Sequence, residues 1–283
     1  MSKDTLNDYF DSVHVITLDK RKAYIEDIFS KMNIKYNQFD AIKVTDFMKN
    51  ILIGNGKLDS QYTFKNNNEI GCFLSHLGVI ENFYNSALND DSNIFIFEDD
   101  IELNTTFIEK IKYTMTNIPK DWEFINFGRC WDNCKDEIIL KTNGYQSIGK
   151  TSSPLCTHSY AINKKGARKI LETIYPIKYP IDVHYILLMN REINPLILYT
   201  SIPRIFTQFK SINPIYKDIV ESSLNNGDSQ ECQVNDDYTT ESIVYTKDYS
   251  VVYITIISIL LFLVMYYNKY IFKKIKNYLL FLK

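Results

Sequence analysis

A chain of 283 residues, 45% hydrophobic and 23% charged, is globular and long enough for one large domain or two small ones. Its formal net charge of -2 supplies no broad basic field, so no nucleic-acid partner is expected. Five cysteines, an odd number in a chain of this size, exclude a small disulfide scaffold.

The opening MSKDTLNDYF has no apolar run and no small-residue cleavage pattern, and reads as an N-terminal tail over 1–11, not a signal peptide. VHVITL, 13–18, reads as a buried strand, and DKRKAYIEDIFSKMNI as an amphipathic helix. YNQFDAI is a second extended piece. Residues 43–68 are polar, with GNG at 54–56, and read as a loop. From Glu69, the residues Phe73, Leu77, Ile80 and Tyr84 recur at helical spacing as a core-facing stripe. NIFIF is a strand, FIEKIKYTM a helix and WEFINFG another strand. After a loop rich in Asn, Gly, Thr and Ser, THSYAIN reads as a strand and KKGARKILETI as a helix ended by Pro176. IDVHYILLMN is a helix entered through Pro180, and NPLILYTSIP a last extended segment. Strands alternating with helices predict an α/β domain over 12–216, its sheet mostly parallel and covered on both faces. Residues 217–248 lack periodicity and read as a flexible linker.

In the third strand, five residues of mostly β-forming character run straight into Glu98, Asp99 and Asp100. Adjacent acids repel one another and are not buried without partners, so a cation is expected there, against the plainer reading of a solvated acidic turn. In open α/β sheets ligands bind beyond the carboxyl ends of strands, which is where NIFIF delivers its acids. A divalent ion at that place would relieve the repulsion and neutralise a diphosphate.

Two further features carry expectations. Cys130, Cys134 and Cys156, with His158 close behind, are compatible with a Cys3His zinc site, with a disulfide between the CWDNC loop and Cys156, or with free core thiols. From Val251 to Tyr267 there is no charged residue, tyrosines sit at both ends, and Lys269, Lys273, Lys274 and Lys276 follow. This predicts one transmembrane helix over 249–268 and a basic, apolar tail over 269–283. The lysines would place the C-terminus in the cytosol and the domain in a lumen. No N-terminal signal starts translocation, however, and a glycan at Asn104, the one N-x-[ST] site, would crowd the acids. A single-pass, tail-anchored membrane protein with a cytosolic catalytic domain is therefore expected.

Five stretches, in order, resemble glycosyltransferase family 25, the lipooligosaccharide and collagen galactosyltransferase group. They are VITLDKRK with Thr17, Leu18, Asp19 and Arg21; EIGCFLSH from Glu69 to His76; FEDD; HSYAINKKGA from His158 to Ala167; and Pro180, Ile181 and Asp182. Ser159 replaces the usual Ala, and the CWDNC insertion and C-terminal apolar segment depart from the family pattern. The resemblance covers roughly residues 12–210. It implies a GT-A type fold, a UDP-sugar donor, usually UDP-galactose, a Mn2+-like divalent metal, and inversion at the anomeric carbon. The acceptor would be a glycan, lipid-linked or protein hydroxyl.

On this reading Glu98, Asp99 and Asp100 hold the metal and stabilise the charge that builds on the leaving diphosphate. Asp182 is the expected base on the acceptor hydroxyl, with His158 and Glu69 as further catalytic candidates. Thr17, Leu18, Asp19, Arg21, Ser75 and His76 are the expected donor contacts. Two other classes compete. A metal-dependent nucleotidyltransferase or phosphohydrolase would use the same acids, though no G-x-x-x-x-G-K-[ST] loop is present. An inactive, membrane-tethered sugar-nucleotide-binding protein would keep the fold without turnover.

Overall fold

Alternation along one strand sorts the core into two. In the computed structural model, which describes residues 4–102, 106–130, 138–152 and 154–208, the strand Asn93–Glu98 buries Ile94 and Ile96 on one face and Phe95 and Phe97 on the other. All four are fully buried, which is why the stretch reads as one apolar run.

The elements, in chain order, are β1 (Ser12–Thr17), α1 (Lys22–Lys31), β2 (Asn37–Asp40), α2 (Asp46–Gly54), α3 (Asn67–Tyr84), β3 (Asn93–Glu98) and β4 (Ile101–Glu102). Then follow α4 (Phe107–Asn117), β5 (Phe124–Asn126), β6 (Ile138–Thr142), β7 (Ser147–Lys150), β8 (Ser159–Asn163), α5 (Lys164–Leu171), α6 (Ile181–Met189), β9 (Leu198–Ile202) and β10 (Thr207–Gln208). Eight strands form one sheet in the order β2-β1-β3-β8-β5-β9-β7-β6, and β10 pairs with β4. Against one face pack Phe73, Leu77 and Ile80 of α3, Ile170 of α5 and Tyr185 of α6. Against the other pack Ile25 and Phe29 of α1 and Phe107 and Ile111 of α4, with Phe95 stacked on Phe127 at 5.2 Å. Truncating Phe95 to Ala would cost about 3–5 kcal/mol of stability.

The sheet is mixed, which corrects the mostly parallel expectation. Only β1/β2, β1/β3 and β5/β9 are parallel; β3/β8, β5/β8, β7/β9 and β6/β7 run antiparallel. The reason is β8, which enters between β3 and β5 against both. A strand buried on both faces has the same apolar composition in either direction, so periodicity does not reveal its polarity.

The membrane expectation is corrected as well. The segment 249–268 lies outside the described residues. Among those described, no helix is long and apolar enough to cross a membrane, so neither a transmembrane helix nor a single-pass membrane location is supported. An apolar window reports composition, which does not by itself establish a spanning helix. Asn104, Cys134 and the proposed linker and tail also lie outside the described residues.

Two elements emerge from stretches read as loops. α2 lies within 43–68, capped by Thr45, whose hydroxyl accepts from the Met48 amide. β6 and β7 make a hairpin in the loop before THSYAIN. That loop also carries a Cys130–Cys156 disulfide, so Cys156 is not a metal ligand and the zinc reading falls.

Candidate active site

The chain leaves β1 for α1 and β2 on one side, whereas β3 lies on the other, so the carboxyl ends of β1 and β3 diverge at a topological switch point. The register sets Ile16 beside Glu98. Leu18 and the three acids therefore leave the sheet together. The space between them and α3 is a cavity of about 300 Å³, lined among others by Leu18, Arg21, Ser75, His76 and all three acids. Lys20, Lys43, Asn68 and Cys72 also line it.

Three adjacent carboxyls meet three different environments. Asp99 is consumed internally: Oδ1 pairs with Arg21 Nη1 at 2.5 Å and Oδ2 accepts from the Leu18 amide at 2.6 Å. This ties the turn after β3 to the turn after β1, and both side chains are buried. Glu98 Oε1 accepts from the Thr157 hydroxyl at 2.8 Å and lies 3.2 Å from His76 Nε2. Burial pushes the Glu98 carboxyl up, but the hydrogen bond and charge of His76, with His158 and Thr157, outweigh it and hold the carboxyl below its ordinary value. Asp100, also buried, bears the repulsion. It takes only long contacts from the Gln208 amide, at 3.2 and 3.4 Å, and Arg21 Nη1 stands 3.8 Å away. Burial first, then the charge of Glu98, raise it to about 7 against the pull of Arg21.

Behind Glu98 runs a buried polar chain. His76, fully buried on α3, has Nδ1 3.0 Å from the Tyr160 hydroxyl, which lies 3.5 Å from that of Tyr185. With Glu98 ionised, His76 donates through Nε2 and its Nδ1 accepts from Tyr160, which fixes one oxygen of the carboxylate. Cys72, one turn before His76 on α3, faces the same space. Its thiol is raised well above the ordinary value by burial, then by the charges of Glu98, Asp182, Asp100 and Glu69.

The remaining candidates fall around this centre. Ser75 is buried and bonded to protein: its hydroxyl accepts from the Ile42 amide and donates to the Gly71 carbonyl. A side chain at Gly71 would collide with the Ile42 carbonyl, so this turn of α3 packs backbone to backbone. Thr17, buried, donates to the Leu18 carbonyl and does not line the cavity. Asp19 is exposed and paired with Lys22 at 2.9 Å. Glu69 accepts from the Lys65 amide at the start of α3, where Asn66 caps the helix, so its carboxylate closes a helix terminus. His158 lies beneath the site, Nε2 donating to the Phe206 carbonyl at 3.1 Å and burial pushing it down to about 4. Asp182, at the start of α6, accepts from the Cys156 amide at 3.1 Å and the Val183 amide at 2.8 Å.

Sequence reasoning missed Thr157, Tyr160, Tyr185, Gln208 and Cys72. Only Cys72 and His76 carry a local signal, the i,i+4 spacing that sets both on one helix face.

Among known proteins, residues 10–185, more than half of the chain, match the family model described as Glycosyltransferase family 25 (LPS biosynthesis protein). Procollagen galactosyltransferase 2 of Mus musculus is 32% identical over 106 residues, 36% of this chain and 16% of that protein. Lipooligosaccharide biosynthesis protein lic2B of Haemophilus influenzae is 26% identical over 169 residues, 53% of this chain and 58% of that one. A mouse protein named inactive glycosyltransferase 25 family member 3 is 27% identical over 176 residues, 57% of this chain and 29% of its own length. The chain thus spans less than a third of its mammalian relatives and under two thirds of this bacterial one.

Proposed function

Because the chain belongs to glycosyltransferase family 25, we propose that it transfers a hexose, in the first instance galactose, from a UDP-sugar to an acceptor hydroxyl, with inversion and with a divalent metal of the Mn2+ type. The observation that carries this reading is the charge imbalance at the switch point. Three carboxyls gather there around one buried guanidinium, and burial, then the charge of Glu98, raise Asp100 to about 7 against the pull of Arg21.

The donor set fits a hard divalent ion held by oxygen. Asp99 is occupied by Arg21 and Leu18, which narrows the proposed metal residues to Glu98 and Asp100. Bound there, the ion would supply Lewis-acid neutralisation of the diphosphate leaving group. Around it the chain does the positioning. Arg21 and Asp99 lock the two strand ends together, and His76 with Thr157 fixes Oε1 of Glu98, whose side chain lines the cavity. Lys20 and Lys43 offer positive charge to phosphate oxygens along the same wall. Asp182, held by two backbone amides at the start of α6, is the proposed base that takes the acceptor proton. The names of the procollagen and lipooligosaccharide relatives support protein or glycan acceptors.

A second reading, a silent binding protein, is favoured by the inactive mouse relative. A donor screen separates them. UDP release from UDP-galactose and UDP-glucose is measured with an acceptor mixture, with Mn2+ and with chelator. Metal-dependent release of intact UDP is expected. Release of a monophosphate or inorganic phosphate would favour nucleotidyl or phosphohydrolase chemistry, and donor binding without any turnover would favour the silent reading.

A further inference from the structure

One side chain at this site, Cys72, is left over by the transfer chemistry. Cys72 and His76 stand one turn apart on the same face of α3, and Glu98 meets them from the end of β3. The Cys72 sulfur, a His76 ring nitrogen and a Glu98 carboxylate oxygen all lie within 4.8 Å of one another. The ligands of a tetrahedral zinc ion are separated by roughly 3.4–3.8 Å, and the His76 Nε2 to Glu98 Oε1 distance is already 3.2 Å. The three residues line the cavity, which leaves room for water as a fourth ligand. We infer that Cys72, His76 and Glu98 form a binding site for a thiophilic divalent cation of the zinc class, overlapping the oxygen pair Glu98 and Asp100 only at Glu98.

The chemistry of the surroundings suits such an ion. A sulfur, an imidazole and one carboxylate make a borderline-soft set that prefers zinc to Mn2+. To bind, Cys72 gives its thiol proton to solvent as the sulfur–metal bond forms. His76 must present Nε2 unprotonated, so its proton moves to Nδ1. The Tyr160 hydroxyl, 3.0 Å away, then accepts from Nδ1 instead of donating to it, and Tyr185 at 3.5 Å can receive the Tyr160 proton as a hydrogen bond. A hydroxyl serves either tautomer, which is what an outer partner of a metal-bound histidine must do. Glu98 is shared by both sites, so zinc there excludes the ion proposed for the donor. Only that competition rests on the transfer reading.

Cobalt(II) alone tests the site, without donor or turnover. The full chain titrated with Co2+ should develop a thiolate-to-cobalt charge-transfer band in the near ultraviolet, abolished by one equivalent of Zn2+. Cys72→Ser should lose the band, and Asp100→Asn should keep it while losing Mn2+ binding. No band in the wild-type protein, or an undiminished band in Cys72→Ser, overturns the proposal. In case Cys72→Ser does not fold, alkylation of Cys72 in the wild-type protein is followed by mass spectrometry. Zn2+ at ten times its dissociation constant should slow it roughly tenfold and Mn2+ should not. Equal alkylation with and without Zn2+ overturns it.

Discussion

Charge is buried at both ends of the central sheet, and the two ends handle it differently. At the amino end of β5, Glu123 Oε2 meets Lys169 Nζ at 2.7 Å and also accepts from the Ile197 amide, and Lys169 donates to the Pro195 carbonyl. One acid faces one base, and neighbouring backbone groups complete their hydrogen bonds. At the carboxyl end of β3 three acids face one arginine, and Asp100 makes only long contacts. The first arrangement is complete in the folded chain alone. The second holds more acids than buried bases, which is the imbalance the proposed metal would relieve.

Substitutions at the two ends should therefore fail in opposite ways. Asp100→Ala should lower UDP release by roughly 10²–10³-fold while leaving the fold intact, as followed by initial rates and a melting curve. Glu123→Gln should do the reverse. Leaving Lys169, its side chain only 12% exposed, without its partner charge costs about 3 kcal/mol of stability in denaturant titrations, with turnover per folded molecule unchanged.

How much of this was legible in the sequence follows the same division. The acids announced themselves because an apolar strand ran into them, and α3 because Phe73, Leu77 and Ile80 keep helical spacing and are buried. Tyr84, assigned to the same stripe, is 38% exposed at the helix end. What stayed hidden was whatever depends on distant residues. Asp99 and Asp100 are indistinguishable in the text, and only folding sets Arg21 2.5 Å from the first and 3.8 Å from the second. Tyr160 reaches His76 across 84 positions. α2 went unread because none of its residues is fully buried: Phe47 and Ile51 stay exposed, and Leu52 and Ile53 pack only partly against the core. The β6–β7 hairpin was missed for a similar reason, since β6 is largely exposed.

Smaller effects sharpen the contrast. Tyr160→Phe removes the donor that selects the His76 tautomer, so turnover should fall roughly tenfold and the pH profile should shift, with donor KM little changed. Acid should destabilise the fold through its neutral histidines. Burial lowers His14, His158 and His184 each to about 4, so the unfolded chain takes up their protons first and stability falls as pH drops from about 6.5 toward 4. His158→Gln should flatten part of that loss in melts across this range. Asp100 acts in the other direction. Its folded carboxyl keeps a proton to about 7 that the unfolded one releases near 3.8, so stability without metal falls as pH rises through that window. Asp100→Asn should therefore melt higher than wild type at pH 8, by about 2–4 °C per kcal/mol recovered, and show no gain at pH 4.

The shortfall of positive charge at β3 is tested most directly by titrating Mn2+ into the protein with UDP present and following the free ion by electron paramagnetic resonance. One Mn2+ should be taken up by the wild-type chain and by Glu123→Gln, and none by Asp100→Asn. Undiminished uptake by Asp100→Asn would contradict the account.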